Sequence, residues 1–231
     1  MQHLAFIIDG NGRWGERHSG GRMAGYAAGA DAVMRAILAA DELNIPYVSF
    51  YAFSLENYKR SKTETMGIFG VIADLLEQRL LPLVKERGYR VRFIGRLQGL
   101  PEPLLDAITK VNVAGLNNRN MTIIIAVAYG GRDEVVTAFE YILNQRIINS
   151  DISALTYEEI ERALYTAMLP DPDAVVRYGG YKRLSNFMPL QTVYSELFFI
   201  DKLWPDFSKE DILYIYDSYK RITRKFGDLP K

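Results

Sequence analysis

Five consecutive apolar residues, Leu4 to Ile8, run into Asp9-Gly10-Asn11-Gly12-Arg13-Trp14, and this junction constrains the fold more than any other stretch. A short apolar run closed by glycines reads as a buried strand with a sharp exit turn. Arg22 and Gly25 then lead into a helix that begins near Tyr26. Such a turn brings backbone N–H groups close to a phosphate, and the helix start behind it favours an anion. Arg13 and Arg22 add positive charge in a geometry suited to phosphate oxygens. Asp9, at the carboxyl end of the strand, is placed to hold a magnesium ion against the same phosphates. An ordinary turn with a capping Asp has the same spacing.

Beyond the junction, strand and helix patterns alternate. An Ala-rich helix covers Gly25 to Leu43, and Pro46 leads into a second strand, Tyr47 to Phe53. A long helix follows from Thr63, with Pro82 placed to kink it and Gly88 to end it. Tyr89 to Gly95 alternates as a strand, and Pro101 starts a helix to about Leu116. Met121 to Ala128 is nearly all apolar, as a central parallel strand requires. Further helices are expected from Arg132 to Ile147 and, after the polar link Asn149 to Thr156, up to Met168. Short strands, Ala174 to Arg177 and Ser195 to Ile200, precede a last helix capped by Ser208 and running to Phe226. This order predicts an α/β fold with a parallel sheet, helices on both faces and ligands at the carboxyl ends of the strands.

Composition excludes several classes. The 231 residues, 48% hydrophobic, suit one globular domain over 1–231 with a full-sized core. Basic and acidic side chains balance at 28 each, which argues against broad nucleic-acid or acidic-membrane binding. The absence of cysteine removes disulfides and thiolate metal sites. Only His3 and His18 could supply imidazole, so a His-rich zinc site or a histidine-based triad is not expected. With no charged-then-apolar leader and no apolar run of membrane-spanning length, the expectation is a soluble cytoplasmic protein.

Polar clusters follow three more strands. Ser54, Glu56, Asn57, Tyr58 and Arg60 follow the second, and Tyr129-Gly130-Gly131-Arg132-Asp133 the fourth. Arg177, Gly179, Gly180, Lys182, Arg183, Ser185 and Asn186 follow the fifth, and Arg177 to Ser185 suit a second anion site. Taken singly, Arg60 and Arg132 read as solvated helix-start residues paired with nearby acids. Together the clusters point to a phosphate-rich ligand.

These stretches, with Tyr51-Ala52-Phe53-Ser54, Leu169-Pro170-Asp171-Pro172-Asp173, Ser185-Asn186-Phe187, Glu196-Leu197 and Leu203-Trp204-Pro205-Asp206-Phe207, recur in a fixed order along nearly the whole chain. In that order the chain resembles the cis-prenyltransferases, the family of undecaprenyl diphosphate synthase. The DDxxD metal motif of trans-prenyltransferases is absent from the sequence. The resemblance implies an open, mostly parallel six-stranded sheet flanked by helices, with an apolar substrate tunnel between the sheet and two helices. It implies a homodimer that uses Mg²⁺ and isoprenoid diphosphates, with loose membrane association only for a long product. By the same resemblance Asp9 would bind the metal and assist departure of diphosphate, with Asn11 and Ser54 near the reacting carbons. Gly10, Gly12, Arg13, Trp14, Arg22, Tyr26, Asn57 and Arg60 would bind the allylic diphosphate. Arg177, Arg183 and Ser185 would hold the second diphosphate, and Glu196 would complete its metal site. Ala52, Met66 and Phe69 would line the tunnel.

The departures carry information too. Tyr26 stands where the family usually has His, Ala128 where it usually has Asn, and Tyr181 where it usually has Glu, so an acid beside the second diphosphate site is gone. The Gly25-Tyr26-Ala27-Ala28 turn, Asn57-Tyr58-Lys59-Arg60-Ser61 and Pro189-Leu190 look like small bacterial enzymes that make lavandulyl-type diphosphates. Those enzymes join dimethylallyl units in a branched or cyclic pattern. Asn11 and Glu56 instead keep the ordinary pattern, so regular head-to-tail addition to isopentenyl diphosphate is the alternative. A non-catalytic scaffold subunit, as in eukaryotic members, conflicts with the joint presence of Asp9, Arg13, Arg22, Arg177, Arg183 and Glu196. Met66 and Phe69, three residues apart, share one expected helix face; resemblance to the short-chain members then implies a short product of about ten to twenty carbons, whereas a plain core position for Phe69 has the same spacing.

Overall fold

The structure, a computed structural model, describes residues 1–223. Its strands are β1 (His3–Ile7), β2 (Tyr47–Ser54), β3 (Arg90–Ile94), β4 (Thr122–Tyr129), β5 (Ala174–Arg177) and β6 (Glu196–Phe199). They form one six-stranded sheet in the order β3-β4-β2-β1-β5-β6. All five pairings are parallel, so every strand's carboxyl end lies at one side of the sheet. β4 is buried along its whole length, which is why it reads as an unbroken apolar run.

The helices are α1 (Asn11–Arg17), α2 (Gly21–Glu42), α3 (Lys62–Asp74), α4 (Leu81–Arg87), α5 (Glu102–Gly115), α6 (Gly131–Asn149), α7 (Tyr157–Ala163) and α8 (Lys209–Lys220). Alternate strand residues face opposite layers. Leu4, Phe6, Val48, Phe50, Ile123 and Ile125 pack with buried side chains of α2, α3, α5 and α8. Ala5, Ile7, Tyr51 and Ile124 pack on the other side with Phe187 and Met188. Phe6 and Phe50 stack at 5.5 Å, and Trp204 closes over Phe6 at 5.5 Å while donating from Nε1 to the Gly29 carbonyl (2.9 Å). No helix among the described residues is long and apolar enough to cross a membrane.

Three segments differ from the sequence expectation. The glycine-rich stretch after Asp9 is not an extended turn: the chain bends at Gly10 alone, and Asn11 already opens α1. α2 likewise starts at Gly21 rather than near Tyr26. Tight packing of α1 on α2 overrides the low helix propensity of glycine, since a Cβ on Gly25 would stand 1.9 Å from the Asn11 carbonyl oxygen. The long helix after β2 passes through a π-helical turn, Leu75–Leu80, and Pro82 follows directly in the first turn of α4. Gly88 ends α4 in the left-handed conformation, as expected. α7 closes at Ala163 rather than Met168, and α8 ends at Lys220, while Phe226 lies outside the described residues.

Candidate active site

At the end of β1, the Asp9 N–H donates to the Ile7 carbonyl, and the Asp9 carbonyl accepts from the Trp204 N–H, both at 3.0 Å. Gly10 turns the chain at φ 106°, a region that L side chains avoid, and a Cβ there would meet Leu203 at 2.8 Å. The Asp9 carboxylate thereby emerges beside the end of β5. Arg177, only 4% exposed, donates from Nη2 to Asp9 Oδ2 at 2.8 Å. Its Nη1 donates to the Arg183 carbonyl and to Ser185 Oγ, both at 2.5 Å. Arg13 Nη2 donates to the other Asp9 oxygen at 3.3 Å. One carboxylate is thus clamped between two guanidiniums.

The segment carrying Ser185 is strained. Ser185, Asn186 and Met188 have φ of 51°, 66° and 46°, and each such residue costs about 1–3 kcal/mol. Asn186 holds the conformation. Its Nδ2 donates to Glu56 Oε1 (2.9 Å), its Oδ1 accepts from the Arg132 N–H (2.9 Å), and its carbonyl accepts from the Gly131 N–H (2.8 Å).

A second cluster gathers on Glu64 of α3. Its Oε1 accepts from Arg22 Nη2 (2.9 Å), Arg60 Nη1 (2.8 Å) and the Tyr26 hydroxyl (2.6 Å). Burial opposes ionisation of Glu64, but hydrogen bonds from Tyr26, Arg60 and Arg22 outweigh it and hold the carboxyl at about 2. Burial, with the bond to Glu64, raises the Tyr26 hydroxyl above its ordinary value, so it stays a donor.

The arginines of both clusters, with Asp9, Tyr26, Glu56, Ser185 and Asn186, line a cavity of about 680 Å³ at the carboxyl ends of the strands. Of the residues expected there, Asp9, Gly10, Asn11, Gly12, Arg13, Arg22, Tyr26, Ala52, Ser54, Asn57, Arg60, Arg177, Arg183 and Ser185 all line it. Five arginines line it with the carboxylates Asp9 and Glu56, and Glu64 pairs with two of the five, so positive charge stays in excess and favours a multiply charged anion. An apolar cavity of about 50 Å³ adjoins it between the sheet and helices α2 and α3. Ile8, Asn11, Tyr26, Ala52 and Ile68 line both cavities.

Four expected site residues lie elsewhere. Trp14 is turned off the cavity because residues 11–17 wind as a helix; its Nε1 donates to Asp206 (2.6 Å) and its ring stacks on His18 at 4.0 Å. Met66 is 46% exposed, and Phe69 is buried against Phe53 at 4.7 Å and Tyr58 at 6.0 Å. The face of the helix that lines the apolar cavity is instead Ile68, Val71, Ile72 and Leu75. Glu196 opens β6 opposite Ala174, three residues before Arg177. That places it about 10 Å along the strands, towards the far end of the sheet from Asp9, so within this chain the two carboxylates do not share a metal. Ile8, Tyr51 and Ile68 also line the cavity, and no local polar pattern marks them in the sequence.

Among the described residues no three His, Cys, Asp or Glu side chains converge on a metal position. Asp9 alone, an oxygen donor on an open cavity rich in arginine, fits a hard cation that takes its other ligands from phosphate oxygens and water, as Mg²⁺ does.

The family described as "Putative undecaprenyl diphosphate synthase" matches residues 7–227. An isoprenyl transferase of Thermotoga maritima is 40% identical over 228 residues, spanning 99% of this chain and 97% of that protein. One from Rickettsia sibirica is 38% identical over 227 residues, 98% of each chain. The crystal structure of lavandulyl diphosphate synthase from Lavandula x intermedia, in complex with dimethylallyl diphosphate, matches with a TM-score of 0.94 at 32% identity over 98% of both chains. A probable undecaprenyl diphosphate synthase from Campylobacter jejuni matches at 0.82 and 28% identity over 99% of both. Agreement this long, in sequence and in fold, places the chain in the undecaprenyl diphosphate synthase family, as an enzyme that transfers isoprenyl groups.

Proposed function

We propose that this protein is a magnesium-dependent prenyl diphosphate synthase that joins an allylic diphosphate, dimethylallyl or geranyl, to a second five-carbon isoprenoid diphosphate. The product is short and irregular, branched or cyclic in the lavandulyl manner. The observation that carries this reading is the junction of an arginine-lined cavity with a small apolar one through Ile8, Asn11, Tyr26, Ala52 and Ile68. That junction suits a ligand with a diphosphate head and a short apolar tail. The likeness to lavandulyl diphosphate synthase, at a TM-score of 0.94, supports the irregular product.

The chain's own residues account for the chemistry. The allylic C–O bond breaks with its electron pair leaving on diphosphate, and Arg13, Arg22 and Arg60 stabilise the developing charge. Mg²⁺, held by Asp9 together with the substrate diphosphate, would neutralise further charge on the leaving oxygens. Asn11 and Ser54 lie beside the reacting carbons. Arg177, Arg183 and Ser185 anchor the second diphosphate, so that its alkene reaches the allylic cation and supplies the electrons of the new carbon–carbon bond. The coupled cation then gives up a proton, which the released diphosphate can accept, and the new alkene is neutral. Ile8, Phe50, Ile68 and Ile72 keep water from the cation. A homodimer fits the apolar residues that α6 leaves exposed, among them Val136, Leu143 and Ile147.

The regular reading, addition to isopentenyl diphosphate, is favoured by the identity to isoprenyl transferases. The deciding experiment incubates the enzyme with Mg²⁺ and dimethylallyl diphosphate, with and without isopentenyl diphosphate. Pyrophosphate release and the masses of dephosphorylated products are measured. We expect pyrophosphate and a coupled product from dimethylallyl diphosphate alone. Product that forms only with isopentenyl diphosphate overturns irregular coupling, and no release in either case overturns the synthase.

A further inference from the structure

We propose that Tyr181 is a positioning residue whose ring gathers the arginines of both diphosphate sites without neutralising them, and thereby sets the affinity for the second diphosphate. Its ring centroid lies 4.3 Å from the Arg183 guanidinium carbon, 5.1 Å from that of Arg13 and 5.7 Å from that of Arg177. All three are within the reach at which a cation is attracted to an aromatic face. Arg13 comes from α1 and the other two from the end of β5 and the loop after it, so the ring spans the two halves of the site.

Backbone anchors the ring there. Gly179 and Gly180 have φ of +90° and +79°, and fold the segment back over Asp9. Their N–H groups donate to the Lys202 and Ile200 carbonyls at 2.8 and 3.3 Å. A Cβ on Gly179 would stand 2.6 Å from Arg13 Nη2 and 3.1 Å from Asp9 Cγ. Tyr181 itself is 45% exposed and is not part of the cavity wall, so it acts through the arginines. A carboxylate at this position would also attract the three guanidiniums, but it would cancel one of their charges. A ring leaves the full charge available to the diphosphates.

The inference rests on the diphosphate reading, and its test is separable from the prenyl chemistry. Inorganic pyrophosphate with Mg²⁺ is titrated calorimetrically into the wild type and into Tyr181→Phe, Tyr181→Leu and Tyr181→Glu. The KM of each prenyl diphosphate is measured beside kcat, and thermal midpoints check the fold. Tyr181→Phe should bind pyrophosphate within about twofold of wild type, because the ring face is kept. Tyr181→Leu, which keeps bulk but has no π face, should bind about tenfold more weakly, equivalent to ~1.4 kcal/mol. Tyr181→Glu should also bind more weakly, and in both the KM of the second substrate should rise more than that of the donor, with kcat little changed. Leu or Glu variants that bind as tightly as wild type, or a Phe variant as weak as Leu, overturn the proposal, as does a wild type that binds no pyrophosphate. A wild type that binds pyrophosphate in this pattern yet turns over no prenyl diphosphate supports the role of Tyr181 and overturns the synthase reading.

Discussion

Asp9 has two jobs that substitution can separate. It supplies a carboxylate to the cavity, and it accepts a hydrogen bond from Arg177, whose side chain is almost fully buried. From its place at a strand end, removal of Asp9 looks harmless to the fold; the Arg177 contact changes that expectation. Asp9→Ala leaves a buried guanidinium N–H without its acceptor, which should cost about 1–3 kcal/mol of stability. Asp9→Asn keeps an acceptor and loses only the charge, so its stability should stay within about 1 kcal/mol of wild type while turnover falls at least ~100-fold. Steady-state rates and urea midpoints on both variants check this, and an Asn variant that keeps more than about a tenth of the rate removes Asp9 from catalysis. At this scale the sequence is readable where a motif is local: Asp9, Gly10, Gly12 and Arg13 stand within five positions. It is not readable where the partner is distant. Glu64 lies 38 positions from Tyr26, and Arg177 lies 168 from Asp9, and no local pattern announces either pairing.

The helix after β2 shows what periodicity does and does not settle. Its existence and its end at Gly88 follow from the apolar spacing and the glycine, but which stripe faces the substrate depends on how the helix is rotated against the sheet. Met66 and Phe69 are three apart, yet one is exposed and the other is core. Ile68, Val71, Ile72 and Leu75 follow the i, i+3, i+4, i+7 spacing and make the cavity wall. Product length should therefore respond to Ile72 and not to Phe69. Ile72→Ala is expected to enlarge the apolar cavity and shift products to longer chains, losing about 2–5 kcal/mol of stability. Phe69→Ala should lose about 3–5 kcal/mol and leave product length unchanged. Mass spectrometry of dephosphorylated products, beside denaturation midpoints, reads both effects. Longer products from Phe69→Ala, with none from Ile72→Ala, would restore the wall inferred from sequence.

Across the whole molecule, the α/β class is legible because parallel strands buried on both faces read as apolar runs between helical patterns. Strand order is not, and neither is the end of the sheet at which a motif lands: the metal role that the resemblance implied for Glu196 falls on the first residue of β6, away from the carboxyl ends of the strands. The order β3-β4-β2-β1-β5-β6 puts β1 at the centre of distant segments, and His3 at its start ties them together. His3 Nδ1 donates to the Pro170 carbonyl (2.7 Å), and Nε2 shares a hydrogen bond with the Ser49 hydroxyl (2.6 Å), which can donate to the neutral ring or accept from the charged one. Burial, partly offset by the bond to Pro170 and by nearby Asp173, lowers the folded-state pKa of His3 from 6.5 to about 4. Between those values the unfolded chain binds a proton that the native state does not, so stability falls as pH drops from 6.5 towards 4. The loss attributable to this one residue is roughly 3 kcal/mol, complete near the lower value and absent above the upper. Urea denaturation of wild type and His3→Gln at about pH 7.5 and about pH 4.5 isolates it, because the remaining titrations are common to both chains. The wild type should lose more stability than the variant by about 2–3 kcal/mol over that interval, and equal losses in the two chains would show that the buried ring does not govern the acid sensitivity of the fold.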